Sequence, residues 1–219
     1  MKLRHIILTL TLFATYIAGM AQPRLRQPEM YLGAHAGVMA STVLFKPSVQ
    51  YMDIMQSPLT INGGLVFRYA AHRVCAIQVE VNYMQRGWRE CDNAGMDYVR
   101  QLDYIELPLL MHLYFGKPRF RAFINLGPQI GYCIRDLSSG TPLRPEQLQY
   151  QALDNAFDWG LAGGLGCYYC TKKIGLFQLE ARFNFSMGTI YSNRVVDYFS
   201  QSNMMNLSLN FAYMWEIRL

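Results

Sequence analysis

The C-terminal run Asn206–Leu219, "NLSLNFAYMWEIRL", constrains the fold more than any other stretch. Its odd positions, Leu207, Leu209, Phe211, Tyr213, Trp215, Ile217 and Leu219, are all apolar. Its even positions, Asn206, Ser208, Asn210, Ala212, Met214, Glu216 and Arg218, are mostly polar or small. Successive side chains of a β-strand point to opposite faces, so one face of this run is oily and the other is not. The run outlasts the about 4–8 residues usual for a half-buried soluble strand. It reaches the ~9–11 tilted residues with which a strand crosses a bilayer.

The pattern recurs along the chain. Phe177, Leu179, Ala181, Phe183, Phe185 and Met187 alternate with Gln178, Glu180, Arg182, Asn184, Ser186 and Gly188. Ile77, Val79, Val81 and Tyr83 alternate with Gln78, Glu80, Asn82 and Met84. Similar runs lie at "INGGLVFRY", "FDWGLAGGLGCYY" and "FRAFINLGPQIGY", and a weaker one at "YLGAHAGV". With "LDYIELPLLMHLYFG" (Leu102–Gly116) they make eight candidate strands. Short connections near Ala71-His72, Gly116-Lys117-Pro118 and Thr171-Lys172-Lys173 alternate with long polar ones near 40–57, 89–99, 134–156 and 190–203. Short turns at one end and longer loops at the other are the pattern of an outer-membrane barrel. The fold class expected is therefore all-β: an eight-stranded antiparallel up-and-down transmembrane β-barrel. A lipocalin-like or sandwich domain is the soluble competitor, but it turns its apolar face inward. Here bulky aromatic faces oppose faces of Gly, Ala, Ser and charges, which suits large side chains in lipid and small or charged ones inside.

The first residues read as a secretory signal peptide over 1–21, with the barrel domain over 22–219. Lys2 and Arg4 form a basic start, Ile6 to Ile17 an apolar core, and Gly19-Met20-Ala21 a small-x-small cleavage site before Gln22. The apolar core is short for a helical span of ~20 residues. The formal net charge is +5, and Lys2 and Arg4 leave with the leader. The remaining basic residues are scattered rather than clustered, a balance that does not suggest a nucleic-acid binder. Five cysteines leave at least one unpaired in a monomer. "CYYC" (Cys167–Cys170) sits at the end of an alternating run, where positions three apart face opposite ways, so a redox motif is not expected. Cys91 and Cys133 fall near the outer ends of strands, where a disulfide or free thiols are both open.

In "LDYIELPLLMHLYFG", alternation places Ile105, Leu107, Leu109, Met111, Leu113 and Phe115 toward lipid and Tyr104, Glu106, Pro108, Leu110, His112 and Tyr114 inward. Pro108 excludes a helix and predicts a bulge or local kink, since proline cannot donate to a sheet ladder. Tyr104, Glu106 and Pro108 in one strand, followed by a Gly127-Pro128 strand and by "FDWGLAGGLG", resemble the PorT-like outer-membrane β-barrel proteins of Bacteroides-type bacteria. The resemblance spans roughly residues 30–219. It implies an eight-stranded barrel in the cell outer membrane and no single activity. The member that names the family assists export through a gliding-type secretion system.

The inward set holds Arg68, Glu80, Glu106, His112, Arg121, Glu180, Arg182, Glu216 and Arg218. An eight-stranded barrel is only wide enough to be filled by its own side chains. Charges there must pair. The expectation is a structural polar network with Arg68, Arg121 or Arg182 as partners for Glu106 and His112, rather than a catalytic site, cofactor or metal. His5 belongs to the leader and His72 to a turn, while His35 and His112 lie beside no Ser–acid pair; HExxH and GxSxG are absent. A non-enzymatic barrel acting as a structural, adhesive or partner-binding element through its outer loops is the reading. A lipid-modifying barrel enzyme and a secretion accessory are the alternatives. Outer-membrane lipid, the barrel-assembly machinery during biogenesis and a protein at the outer loops are the expected partners, with the barrel a monomer.

Overall fold

The computed structural model describes residues 24–46, 53–56, 59–91, 97–140, 153–171, 174–191 and 201–217. The expected leader, residues 1–21, lies outside this set. Among the described residues nine strands form one sheet: β1 (Arg24–Lys46), β2 (Asp53–Gln56), β3 (Thr60–His72), β4 (Cys75–Cys91), β5 (Asp97–Gly116), β6 (Phe120–Gly140), β7 (Phe157–Thr171), β8 (Gly175–Ser186) and β9 (Gln201–Ile217). β2 and β3 lie along the same edge of β4, through Gln56↔Trp88 and Asn62↔Met84, and together make one stave. Eight staves result, each antiparallel to its neighbours. The ring closes where β1 pairs β9, from Met30↔Ile217 to Lys46↔Gln201. Full closure removes the unpaired edges that would otherwise be left in lipid, where no water can satisfy them.

Alternation sets the faces. Ser208 is 3% exposed while Leu209, the next residue, is 50% exposed, with Leu207 and Phe211 also outward. Leu107, Leu109 and Met111 face out; Glu106, Leu110 and His112 face in. Outward aromatic residues form two belts. Phe120↔Tyr169, Tyr169↔Phe177 and Phe177↔Tyr213 are successive neighbours near the short turns. Tyr132↔Phe157 and Trp159 lie toward the other end. Along β6, Phe120 and Tyr132 are separated by about 30 Å of barrel height at ~3.3 Å per residue and ~40° tilt, close to the apolar band between aromatic girdles in such proteins.

Pro108 departs from expectation. The β5–β6 register is the same at Pro108↔Gln129 and Met111↔Leu126, with no bulge between them. What changes is the pairing. The β4–β5 ladder lapses between Val79↔Leu109 and Asn82↔Glu106, and the β5–β6 ladder lapses opposite Pro128. Each proline therefore omits a bond without shifting the strand. The actual bulge lies nearer the outer end, between Asp103↔Arg135 and Tyr104↔Cys133. The strands also run further than the sequence reading placed them. β6 continues to Gly140 and β9 begins at Gln201, inside segments expected to be loops. Short turns at 73–74 and 117–119 lie at one end as expected, where the β7–β8 pairing also ends at Thr171↔Gly175, and Tyr114 N–H of β5 donates to Val74 O of the first turn at 3.0 Å.

Candidate functional site

The lumen is layered. At the short-turn end, Val66, Ala70, Ala76, Tyr114, Phe123, Tyr168, Leu176, Ala212 and Met214 form an apolar plug. Toward the outer end, Val43, Trp88, Leu102, Tyr104, Cys133, Ile190, Tyr191 and Met204 form another. Between the plugs the interior is polar and divides into two charge clusters.

The lower cluster centres on Arg182 of β8. Its guanidinium donates to both oxygens of Glu80 on β4, at 2.5 and 2.7 Å, and to both oxygens of Glu180, at 2.9 Å each. Glu80 also accepts from Gln78 at 2.5 Å and Asn82 at 2.8 Å. Glu180 also accepts from Gln178 at 3.0 Å and Asn125 at 3.0 Å. Each carboxylate thus accepts four hydrogen bonds, which fills its lone-pair sites. Arg68 lies further along and donates to the side-chain oxygens of Gln78 and Gln178. The two glutamines accept from Arg68 and donate to the glutamates. They link two arginines and two glutamates into one charge-balanced unit spanning β3, β4, β6 and β8. Buried charges are tolerated where pairing and hydrogen bonding are complete.

His112 sits below this unit. Its Nδ1 is 2.6 Å from Asn125 Oδ1, and its ring lies among Tyr114, Phe123 and Tyr168 at centroid distances of 5.5, 4.7 and 5.8 Å. His35 Nε2 lies 2.7 Å from Asn82 Oδ1 and 3.8 Å from Glu80. Glycine makes room for the network. A Cβ on Gly164 would meet Glu180 Oε1 at 2.2 Å, so any larger residue there would displace the carboxylate. Beside Glu80, Glu180 and Arg182 the remaining cavity is about 10 Å³, at most the space of a single water.

The upper cluster centres on Arg86 of β4, which the sequence reading missed. Arg86 pairs with Glu106 and also with Asp158 of β7 at 2.6 Å. Ser186 Oγ donates to the same Asp158 oxygen at 2.5 Å and accepts from Arg86 at 3.1 Å. The guanidinium lies over the Tyr104 ring at 4.9 Å. Glu106 Oε2 has no partner. The partners expected for Glu106 and His112, Arg68, Arg121 or Arg182, are therefore not the ones they meet. Register brings Arg86 and Asn125 to them instead. Arg86 continues the inward parity of Gln78, Glu80, Asn82 and Met84, and this was the signal available in the sequence. Above it, Arg100 binds Asp136 at 2.5 and 2.9 Å and Tyr191 Oη at 2.6 Å.

The other residues of the expected set lie elsewhere. Arg121 is half-buried at the short-turn mouth, 3.4 Å from Tyr168 Oη and 5.1 Å above the Tyr114 ring. Glu216 is exposed at the same rim, and Arg218 lies outside the described residues. Cys133 is a free thiol whose Sγ is 3.4 Å from Arg135 O; the side chain of Cys91 is outside the described set. Cys167 lines an outward groove while Cys170 packs against the inner plug, so the CYYC sulfurs do face opposite ways. Among the described residues no cluster of His, Cys, Asp and Glu is arranged to hold a metal.

Residues 20–192 match the model of the outer membrane protein beta-barrel domain family. No curated protein matches the chain in sequence. Among solved structures, the outer membrane protein OprG of Pseudomonas aeruginosa is similar with a TM-score of 0.52 at 12% identity, covering 85% of this chain and 95% of that one. The attachment invasion locus protein Ail of Yersinia pestis matches with a TM-score of 0.44 at 12% identity over 85% and 99% of the two chains. Outer membrane protein W of E. coli matches with a TM-score of 0.40 at 14% identity over 85% and 99%. The chain belongs to the outer membrane protein beta-barrel domain family and resides in the cell outer membrane.

Proposed function

We propose that this member of the outer-membrane barrel family is a non-enzymatic, closed scaffold that binds a protein partner through its outer end. The observation that carries the reading is the filled lumen. Two apolar plugs bracket a hydrogen-bonded charge network, leaving no route for a solute past Arg182. The network of Arg68, Glu80, Glu106, Glu180 and Arg182 acts as internal bracing, because each group is paired with side chains of the wall itself rather than aimed at a vacant space. His35 and His112 contact the amides of Asn82 and Asn125, not a serine–acid pair. That arrangement favours a scaffold over a lipid-modifying enzyme.

The outer end supplies the contact surface. From Ile134 to Gly140, β6 is exposed on both faces, beyond its last pairing with β7 at Tyr132↔Phe157. A strand carrying Ile134 and Leu137 into water on a rigid hairpin is suited to protein contact. Kinship with the PorT-like barrels rests on Tyr104, Glu106, Pro108 and Gly127-Pro128, and an export-assisting partner is the form of the proposal that kinship favours.

Two measurements test this. Proteoliposomes carrying the barrel should swell in small sugars no faster than empty vesicles; faster swelling would overturn the closed scaffold. A photo-crosslinker at Ser138 in intact cells should give one defined adduct, lost when Ile134 and Leu137 become Ser and the barrel keeps its heat-modifiable migration. Monomer alone at Ser138 would overturn partner binding.

A further inference from the structure

The short-turn rim carries a second feature that the scaffold reading does not use. Between the β3–β4 and β5–β6 turns lies a cleft of about 380 Å³ lined by Arg73, Val74, Tyr114, Phe115, Pro118 and Arg121. Among the described residues neither arginine has a carboxylate partner: Arg121 lies against the rings of Tyr114 and Tyr168 and the Tyr168 hydroxyl, and Arg73 is exposed. Lys117 and Arg119 occupy the second turn, so the two turns hold three cations and no acid, and Arg121 stands just beyond them at the start of β6. The described carboxylates of this rim, Glu29 and Glu216, belong to β1 and β9.

Phe115 also bounds a second depression, on the lipid-facing wall. This groove, of about 390 Å³, crosses β6, β7 and β8 over Ala122, Gly166, Cys167 and Ala181, with Leu165 and Leu209 as its sides. Register explains it. Phe115↔Ala122, Ala122↔Cys167 and Cys167↔Leu179 are successive neighbours, and beside them run Ile124↔Leu165, Leu165↔Ala181 and Ala181↔Leu209. Small residues in these two rows leave a trough among large ones. The cationic cleft and the apolar trough thus meet at Phe115, level with the aromatic belt of Phe120 and Tyr169, where headgroup gives way to acyl chain.

The geometry points to a binding site for one anionic phospholipid of the periplasmic leaflet, its phosphate on Arg73 and Arg121 and an acyl chain in the trough over Ala122 and Ala181. Guanidinium groups suit phosphate oxygens because their N–H donors match them in pairs. The apolar half commits the site to a lipid rather than to a free phosphate, since phosphate alone would have no use for a trough opening onto hydrocarbon.

Native mass spectrometry of the purified full barrel, with phosphatidylglycerol or phosphatidylcholine added to the detergent, tests the assignment. Phosphatidylglycerol should be retained about tenfold better than phosphatidylcholine, the scale set by two arginines near a charged surface. The double variant R73Q/R121Q should lose that preference. A181F, which fills the trough from a position already facing lipid, should weaken retention of both lipids. Heat-modifiable migration establishes that each variant is folded. Equal retention of the two lipids by the unaltered protein would overturn the site, as would a preference that survives R73Q/R121Q. Displacement of bound phosphatidylglycerol by equimolar glycerophosphoglycerol, which carries the headgroup without chains, would assign the cleft to a soluble phosphate instead.

Discussion

The two charge clusters of the lumen are built from the same residue types and solve the burial of charge differently. Around Arg182, two carboxylates accept four hydrogen bonds each, and Arg68 balances the second charge through Gln78 and Gln178. Around Arg86, one guanidinium serves two carboxylates, Glu106 and Asp158, with the Ser186 hydroxyl and the Tyr104 ring beside it, and among the described residues one Glu106 oxygen is unpartnered. The difference teaches where the barrel tolerates imperfection. Asp158 lies near the outer end and keeps 11% of its side chain exposed, whereas Glu106, Glu80 and Glu180 are sealed, so the upper cluster has one carboxylate with a path to water and the lower has none. A surplus charge with a path to water costs less than one without.

Substitution of the two central arginines gives the largest test. Arg182→Ala orphans two sealed carboxylates and should cost ~3–5 kcal/mol, the scale for breaking a buried pair, read as urea unfolding of the folded barrel in vesicles by tryptophan fluorescence. Arg86→Ala should cost less, because only one of the carboxylates it orphans, Glu106, is sealed, while Asp158 can recruit water. An Arg86 variant as damaged as the Arg182 variant would erase the distinction. The glutamates sharpen it. Glu180→Gln turns acceptor sites into donors facing Arg182 and should cost ~1–3 kcal/mol. Glu106→Gln removes surplus charge where an oxygen has no partner, and should change the urea midpoint little or raise it; a larger loss than at Glu180 would contradict the bookkeeping. Ser186→Ala removes a hydroxyl shared by Asp158 and Arg86, which stay paired with each other, and should cost about 1 kcal/mol.

The faces of the wall were legible in the sequence because period-two alternation is a local property. Leu209 against Ser208, or Leu109 against His112, needs no knowledge of the rest of the chain. The partners inside were not legible, because they depend on register across several strands. Glu106 meets Arg86 across the β4–β5 pairing, and Asp158 shares that arginine because β6 and β7 bring it into the row of Glu106 and Gly131, offsets that no single strand encodes. Loop boundaries failed for another reason. Ile134–Gly140 remains a strand without alternation, since both of its faces are exposed and neither is selected for oil. Pro108 misled because its backbone cost is met by an omitted bond rather than by a shift, which only the ladder reveals.

The β1–β9 seam has a consequence in time. It joins the first and last strands without a break, so the pairing that closes the wall unites residues almost as far apart in sequence as the chain allows. Contacts of such long sequence separation are slow to form, because the chain between them must first be ordered. Until they do, every partly built form carries two raw strand edges able to pair with a neighbour's. Maturation of this barrel is therefore a race between its own two ends finding each other and a second copy finding either of them.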